Sequence, residues 1–417
     1  MVVCSIRRSL LLWVIATATA ASVATADDEA TNWPSMISRL RQQMQTGIGR
    51  AQARQQLAIA YNNYGVSLSN QGEWDLAIQQ LQESLLIDPT GIQARKNLVA
   101  TYLHKAQEAY TRHQINDTLG LLEKVVALDP NVAQAFLLRG EVEYGRQRLK
   151  EAKAAWEQAS TLDPTLAPSL QKRLAQVTQE LPIESKFERL SQAYFDVRYE
   201  EELQRPVGFD IRDALLEARR DVGSDFAYWP KQKLVVLVYS DEKFRAIRQE
   251  TPEWVGGLFD GKIRVPLPGR QLTSARVKQI VFHEYTHAVI QDLTNGACPL
   301  WLNEGLAEYE GAKQDDRPLP LLRAASQAKH LIPWLELSDH FSYQLSTQEV
   351  GLAYEQSYSL ANYLVTRYGF WRIRNLLKRF AEGQSWDAAC AEEFRLKLTR
   401  LESNWRETLP EALKGAP

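Results

Sequence analysis

Residues 280–290 read I-V-F-H-E-Y-T-H-A-V-I, which places the pattern H-E-x-x-H inside an apolar run. This pattern predicts a helix. Because side chains four positions apart share one helix face, we expect His283 and His287 to project side by side. Two imidazoles in this arrangement can hold one Zn²⁺, and Glu284 follows the first of them closely enough to accept a proton from a water molecule there. The pattern is short, so its interpretation depends on what lies around it.

A second pair of polar residues follows at the same spacing. Residues 299–309 read P-L-W-L-N-E-G-L-A-E-Y, and the Asn-Gly pair at 295–296 is typical of a helix end. A turn and a second helix starting near Trp301 are therefore expected, with Glu304 and Glu308 on one face. Carboxylates that face apolar neighbours are costly unless they are paired or bind a metal. The pair predicts a third ligand and a carboxylate that supports a ligating histidine.

The two segments together resemble a known family. H-E-x-x-H followed by W-L-N-E-G-L-A-E is similar to the gluzincin metallopeptidases, in particular the compact peptidase MA-like domains of bacterial proteins. The resemblance implies that His283, His287 and Glu304 are zinc ligands and that Glu284 is the general base. It places Glu308 where thermolysin-like relatives carry a carboxylate that hydrogen-bonds the first histidine.

A third segment supplies a candidate for binding the oxyanion. Residues 354–364 read Y-E-Q-S-Y-S-L-A-N-Y-L and resemble the Y-E-x-G-x-x-x-L-x-x-L helix of aminopeptidase N-type gluzincins. The resemblance implies that Tyr354 donates a hydrogen bond to the oxyanion. Ser357 stands where that family has glycine, so the match is partial. His340 and Tyr358 are alternatives for the same role.

The N-terminal residues predict export. Arg7 and Arg8 precede a short apolar core at 10–16, and A-T-A at 24–26 is a typical cleavage site. This layout is that of a secretory signal peptide cleaved after Ala26 and predicts an exported protein, with the periplasm as the favoured location. The alternative is an uncleaved membrane anchor. No later stretch is long and apolar enough to cross a bilayer.

Composition and cysteine content set broad limits. The 417 residues are 45% hydrophobic and 24% charged, an ordinary globular balance for which two domains are expected. The net charge of −2 gives no sign of nucleic-acid binding, which normally requires a clustered basic excess. After cleavage, Cys298 and Cys390 remain. Exported proteins can keep disulfides, so a bridge and two separate thiols are both open.

An internal repeat precedes the H-E-x-x-H segment. An Asp-Pro pair after an apolar residue recurs at 88–89, 129–130 and 163–164, at intervals of 41 and 34 residues. The interval of 34 is the tetratricopeptide period, and the region resembles three such repeats. The seven extra residues fit an extended helix, and 169–180 reads as a capping helix. The expected helix-packing positions are Tyr61, Gly65, Leu68, Ala77, Leu81, Tyr102, Ala106, Thr118, Leu122, Phe136, Gly140, Ala152 and Trp156.

The predicted fold is α+β and mostly helical. An N-terminal tetratricopeptide α-solenoid is followed by a thermolysin-like gluzincin domain that combines a small mixed sheet with zinc-binding helices. Strands are expected at 194–199 and 234–239, with a hairpin over 256–265, and residues 263–265 are the candidate strand for pairing with substrate. The expected segments are a signal peptide (1–26), a helical or linker segment (27–50), three repeats with a capping helix (51–181) and a peptidase MA-like domain (182–417).

These observations predict an exported, zinc-dependent metallopeptidase that hydrolyses peptide bonds. Its repeats are expected to offer a groove to a peptide or protein partner, with a plain spacer as the alternative. A second interpretation of the whole chain is a non-catalytic interaction scaffold with a structural or vestigial zinc site. A third is a peptidase restricted to one partner protein.

Overall fold

The computed structural model describes residues 32–46, 49–247, 258–259, 261–267, 274–314, 317–341 and 345–413. The predicted signal peptide lies outside the described residues. The fold is mostly helical and has one small mixed sheet in its described part. The chain divides into two compact units, the first ending at Thr178 and the second beginning at Gln179.

The first unit is built of helices joined by short turns. They are α1 (Trp33–Thr46), α2 (Arg50–Asn70), α3 (Trp74–Ile87), α4 (Ile92–Thr111), α5 (Ile115–Leu128), α6 (Ala133–Gly145), α7 (Leu149–Leu162) and the first part of α8 (Ala167–Glu184). The division between the units falls inside α8, so residues 179–184 belong to the second unit. From α2 to α7 the helices pack in consecutive pairs. Helix α4 has 20 residues and α6 has 13, so the seven extra residues lengthen a helix, as the sequence predicts. The arrangement is consistent with a solenoid.

The same side-chain to backbone hydrogen bond occurs in the turn after each helix pair. The side-chain Oδ1 of Asp88 accepts from the Thr90 amide at 3.1 Å, and Asp163 accepts from the Thr165 amide at 3.0 Å. Asp129 accepts from the amide two residues on at 2.9 Å. Aspartate stabilises such turns because its short side chain reaches its own backbone two residues later. The recurring Asp-Pro pair therefore marks one repeated local structure.

Small residues let the paired helices approach each other. A Cβ placed on Gly140 would lie 2.3 Å from the ring of Trp156, which is 1% exposed. A Cβ on Gly65 would lie 2.6 Å from the buried Leu81 side chain. Both pairs are predicted helix-packing positions, and both bring a large side chain directly onto a helix backbone.

The second unit contains a five-stranded sheet with the order β1-β2-β3-β5-β4. Its strands are β1 (Glu188–Ser191), β2 (Phe195–Tyr199), β3 (Leu234–Ser240), β4 (Leu258–Phe259) and β5 (Ile263–Leu267). β2, β3 and β5 are parallel, while β1 and β4 pair antiparallel at the two edges. Two helices interrupt the strands, α9 (Gln204–Phe226) between β2 and β3 and α10 (Asp241–Ile247) after β3.

Eight further helical segments follow the sheet in the described part of the chain. They are α11 (Ser274–Thr294), α12 (Leu300–Ala312), α13 (Pro320–Ala328), a 3₁₀ helix (Trp334–His340), α14 (Thr347–Tyr368), α15 (Phe370–Ala381), α16 (Trp386–Phe394) and, last, α17 (Leu398–Ala412). Helix α14 begins at a capping box in which Ser346 and Glu349 bond each other's backbone amides. Within the part of the chain that the structure describes, no helix has the length and apolarity needed to cross a membrane.

The two faces of the sheet are buried by different helices. Val236, Val238 and Val265 point into the main core, which α9 and α11 complete. On the opposite face, Tyr239 packs with Phe244 of α10 in a smaller cluster. The side-chain period of two along each strand produces this division. The sheet thus fixes α11, the helix that carries the H-E-x-x-H pattern, against a rigid apolar surface.

A buried ion-pair network lies on the second face. Arg264 of β5 is 2% exposed and donates to Glu180 and to Glu184 of α8, each at 2.8 Å. Both carboxylates are buried. Breaking one partner of such a network leaves an uncompensated buried charge, which costs several kcal/mol, on the order of 3–5. The network therefore fixes the end of α8 on the sheet, and the helix runs on past the Leu-Pro pair at 181–182, where the sequence suggested a domain boundary.

The pairing of β5 with both β3 and β4 shows that one prediction, the strand available for substrate, was wrong. Residues 263–265 were expected to form an edge strand available for substrate, but Ile263 and Arg264 have β3 on one side and β4 on the other. The edge strand is β4, and Asp260 of the predicted turn lies outside the described residues.

Cys298 and Cys390 are present as thiols, with no disulfide between them.

We expect Gly140→Ala to destabilise the first unit by about 1–3 kcal/mol, because the new methyl group would overlap the Trp156 ring in a packed interface. Gly120→Ala is the matched control. It lies inside α5 with nothing within 4 Å of its added Cβ, and it should stabilise that helix by roughly 0.5–1 kcal/mol. Urea unfolding followed by circular dichroism measures both, and equal effects would contradict the packing assignment.

Candidate metal centre

Three side chains from two helices bring their donor atoms together. Nε2 of His283 lies 3.0 Å from Nε2 of His287. Oε2 of Glu304 lies 3.6 Å from the first of these nitrogens and 3.5 Å from the second. Among the described residues, these three form the group of histidine, cysteine and acidic side chains arranged to hold a metal ion. All three were predicted as ligands from the sequence.

The dimensions of this triangle fit zinc. Tetrahedral zinc binds nitrogen and oxygen at about 2.0–2.2 Å, which places neighbouring ligand atoms roughly 3.3–3.5 Å apart. The observed separations of 3.0–3.6 Å bracket that value. Oε2 of Glu304 is buried, and it faces the two imidazole nitrogens at distances too long for good hydrogen bonds. Two imidazoles and a carboxylate are also the donor set that zinc takes in catalytic sites, so the residues present fit the ion.

Close helix contacts hold Glu304 in place. A Cβ on Gly305 would lie 2.3 Å from the backbone oxygen of Ser357 in α14, and a Cβ on Gly311 would lie 3.1 Å from the backbone oxygen of Gln279 in α11. Helix α12 therefore touches α14 through one glycine and α11 through the other. Because glycine has no side chain, the backbones approach closely enough for Glu304 to reach the histidines of α11.

Each histidine has a partner at its other ring nitrogen. Nδ1 of His283 lies 3.5 Å from Oε1 of Glu308, the carboxylate that the sequence predicted for this position. Nδ1 of His287 lies 3.1 Å from Oδ1 of Asn303. These contacts turn both Nε2 atoms toward Glu304, since a ring nitrogen that donates to an oxygen fixes the tautomer and orientation of the imidazole. Asn303 was missed at the sequence level, although it directly precedes Glu304.

The two histidines differ in protonation. Burial, together with the nearby charge of His287, lowers the pKa of His283 well below its ordinary value, so the ring is neutral. Burial also acts to lower the pKa of His287, but the adjacent carboxylate of Glu304 outweighs it and raises that pKa to about 9. In the metal-free protein, the His287 imidazole is therefore mostly protonated below pH 9.

The two predicted catalytic residues, Glu284 and Tyr354, interact electrostatically with the candidate ligands or with the carboxylates beside them. Glu284 is buried on α11, and its charge raises the pKa of both His287 and Tyr354. Burial raises the pKa of Tyr354 well above its ordinary value, with Glu304 and then Glu308 adding to the effect. Tyr354 therefore lies within electrostatic range of Glu284, Glu304 and Glu308, and it keeps its hydroxyl proton at neutral pH. Its ring packs edge-on against Phe341, with 5.0 Å between the ring centroids.

The two alternatives to Tyr354 differ from it in their contacts. The ring of His340 is next to the backbone oxygen of Glu336 at 3.0 Å, at the end of the 3₁₀ helix, and its charge acts on Glu349. Tyr358 packs on the main apolar core. Tyr354 is favoured because the charges of Glu304, Glu308 and Glu284 all act on it and raise its pKa.

Comparison with known families agrees with this placement. Residues 215–411 match the model of the Peptidase MA superfamily, a range that contains all of α11, α12 and α14. The match supports a peptidase MA-like domain in this part of the chain, and with it a metallopeptidase-like role. The superfamily is typically metal-dependent, in keeping with the arrangement of His283, His287 and Glu304. The comparison with curated proteins found no match.

Gly305→Ala should weaken zinc binding, because a methyl group at this contact forces α12 away from Ser357 and carries Glu304 with it. We expect a loss of at least about tenfold in affinity, since a metal site tolerates little displacement of its ligands. Gly351→Ala on α14 is the control. Its added Cβ would meet only the end of the Leu321 side chain, which can move. Competition with a chromophoric chelator measures both, and equal affinities would contradict the prediction.

Zinc binding at pH 8 should release about one proton, because the ligand imidazole must be neutral. His287, with a pKa of about 9, is mostly protonated at this pH, whereas Glu308, whose pKa burial raises to about 7, is mostly ionised. Below pH 9 the affinity should therefore fall as the pH falls. Calorimetry in two buffers of different ionisation enthalpy measures the proton count, and a count of zero would show that His287 is neutral before zinc binds.

Proposed function

We propose that this chain is an exported zinc metallopeptidase of the gluzincin type, which hydrolyses peptide bonds. The observation that carries the proposal is the 3.0–3.6 Å triangle of His283, His287 and Glu304 with the buried Glu284 on the same helix as the two histidines. The match of this region to the Peptidase MA superfamily supports it.

In this proposal the two histidines and Glu304 hold Zn²⁺. The bound ion supplies Lewis-acid chemistry, which makes water a nucleophile near neutral pH and polarises the carbonyl of the peptide bond. Glu284 acts as the general base that takes the proton of the attacking water. The same carboxylate then returns the proton to the departing amine, as a general acid.

Tyr354 is proposed to stabilise the oxyanion that forms on the carbonyl oxygen. A phenol can do so only while it keeps its proton, and burial together with the surrounding carboxylates raises the Tyr354 pKa well above 10. The hydroxyl therefore remains a hydrogen-bond donor throughout the neutral range. A donor placed in advance stabilises developing charge without having to reorganise during the reaction.

The first unit is proposed to consist of tetratricopeptide repeats that dock a partner or the protein substrate. Support comes from the 34-residue spacing, the recurring aspartate turn and the glycine contacts at Gly65 and Gly140. Repeat solenoids commonly bind peptides or proteins on their concave surface. Export rests on the residues before 27, whose order matches a signal peptide.

Glu284→Gln should retain zinc but lose hydrolysis by about 10²–10⁴-fold, the usual contribution of general acid–base catalysis. Glutamine keeps the shape of the side chain but cannot accept the proton. Metal content and digestion of a broad peptide library measure the two properties, with the exposed Glu382→Gln as control.

Cleavage by Glu284→Gln at the wild-type rate would overturn the catalytic assignment. Zinc-loaded wild-type protein that cleaves neither the library nor a protein captured by the first unit would instead support the non-catalytic scaffold.

A further inference from the structure

Arg317 forms a partly buried ion pair beside the candidate ligands His283, His287 and Glu304. It follows α12 in the chain, and its guanidinium Nη1 contacts Oε2 of Glu308. The side chains are 20% and 12% exposed. Ion pairs at exposed surfaces contribute little, whereas removing one member of a sheltered pair leaves the other charge poorly solvated. The contact is thus of the kind that fixes the position of a carboxylate.

Glu308 uses its two oxygens on two different partners. Oε2 contacts Arg317, and Oε1 lies 3.5 Å from Nδ1 of His283. A glutamate side chain has three rotatable bonds, so a single weak contact with a histidine would leave the carboxylate free to turn. The second contact, from a cation on another segment, defines the plane of the carboxylate and hence which oxygen faces the imidazole.

The environment of Glu308 calls for a cation. Glu304 lies one helical turn away and raises its pKa, as burial does, while Arg317 is the strongest of the charges that lower it. Arg276 also acts on Glu308, but less, and its guanidinium bonds to Gln279. Of the residues the structure describes, Arg317 is the cation in direct contact with this carboxylate.

Arg317 also reaches the third helix of the site. Its charge lowers the pKa of Tyr354 and of Glu355 on α14, so the guanidinium lies within electrostatic range of that helix as well as of α12. Arg317 therefore contacts α12 directly and lies within electrostatic range of groups on α11 and α14. Neither the H-E-x-x-H pattern nor the W-L-N-E-G-L-A-E segment contains it.

We propose that Arg317 is a positioning residue for the metal ligand His283 and acts through Glu308. By holding the Glu308 carboxylate in one orientation, Arg317 keeps Nδ1 of His283 as the hydrogen-bond donor. The lone pair of Nε2 then points to the position between His287 and Glu304. The inference rests on the proposed function in that the group held at this position is a metal ion.

Zinc affinity of the full chain at a fixed pH of 8 tests this role. We expect Arg317→Gln to bind zinc at least about tenfold more weakly, the usual consequence of losing a partner of a ligating histidine. Arg317→Lys should recover part of the loss, since it restores the charge but not the planar fork of donors. Arg406→Gln, which breaks an Arg–Glu pair within α17, is the matched control and should bind zinc as wild type does.

A double-mutant cycle separates positioning from general stability. In the Glu308→Gln background, Arg317→Gln should cause little further loss of zinc affinity, because the two residues act in series. In the metal-free protein, ¹⁵N spectra of His283 should show the Nδ1–H tautomer in wild type and a mixture in Arg317→Gln.

The outcomes distinguish this inference from the proposed function. Failure of the wild-type chain to bind zinc would overturn both. A wild type that binds zinc, with an Arg317→Gln variant of equal affinity, would overturn the role of Arg317 alone. Additive losses in the double mutant, with an unchanged His283 tautomer, would overturn it as well, since they would show that Arg317 only stabilises the fold.

Discussion

The site depends on how closely helix α12 approaches its two neighbours. One glycine of α12 meets the backbone of α14 and another meets the backbone of α11, with no side chain between them. Carboxylates on α12 can therefore reach imidazoles on α11 directly. A larger residue at either glycine would separate the backbones, and the donor atoms would no longer lie within one coordination sphere. Protein interiors are packed too densely to absorb such a change locally.

This close packing concentrates charge in a buried region. Glu284, Glu304 and Glu308 lie near one another with two imidazoles, and burial raises the pKa of Glu308 to about 7. Buried carboxylates that repel each other cost free energy unless cations compensate them. Arg317 supplies one such cation from the protein, and a divalent ion would supply another. Without a metal ion, this cluster of carboxylates lowers the stability of the folded protein. Such a local loss of stability is expected at a functional site, here one suited to binding a metal.

The surrounding elements hold the candidate site in place. The sheet fixes α11 from one side through the valines of β3 and β5, and the buried Arg264 network fixes the opposite face of the sheet to residues 180–184, which belong to the same unit. Polar contacts then orient the individual side chains, since Nδ1 of His287 faces Oδ1 of Asn303 and Nδ1 of His283 faces Oε1 of Glu308. Ligand geometry is thus set by two successive layers, first by packing of secondary structure and then by polar contacts around each ring.

Much of the candidate site could be read from the sequence because helical spacing is a local property. Positions four apart share a face whatever surrounds the helix, so the pairing of His283 with His287 and of Glu304 with Glu308 was determined by the chain itself. The glycine positions of the first unit followed from the repeat period in the same way. Even the start of α14 is marked locally, by the capping box of Ser346 and Glu349.

Tertiary structure alone decided the rest, because it depends on contacts between residues distant in the chain. The predicted hairpin pairs β5 with β4 on one side, but β5 lies inside the sheet only because β3 pairs with it on the other side, which no local pattern specifies. Arg317 lies outside every motif and gains its place only when the segment after α12 folds back onto Glu308. The sequence therefore determined which side chains share a helix face, whereas the packing of the helices decided which faces meet and which neighbours orient the ligands.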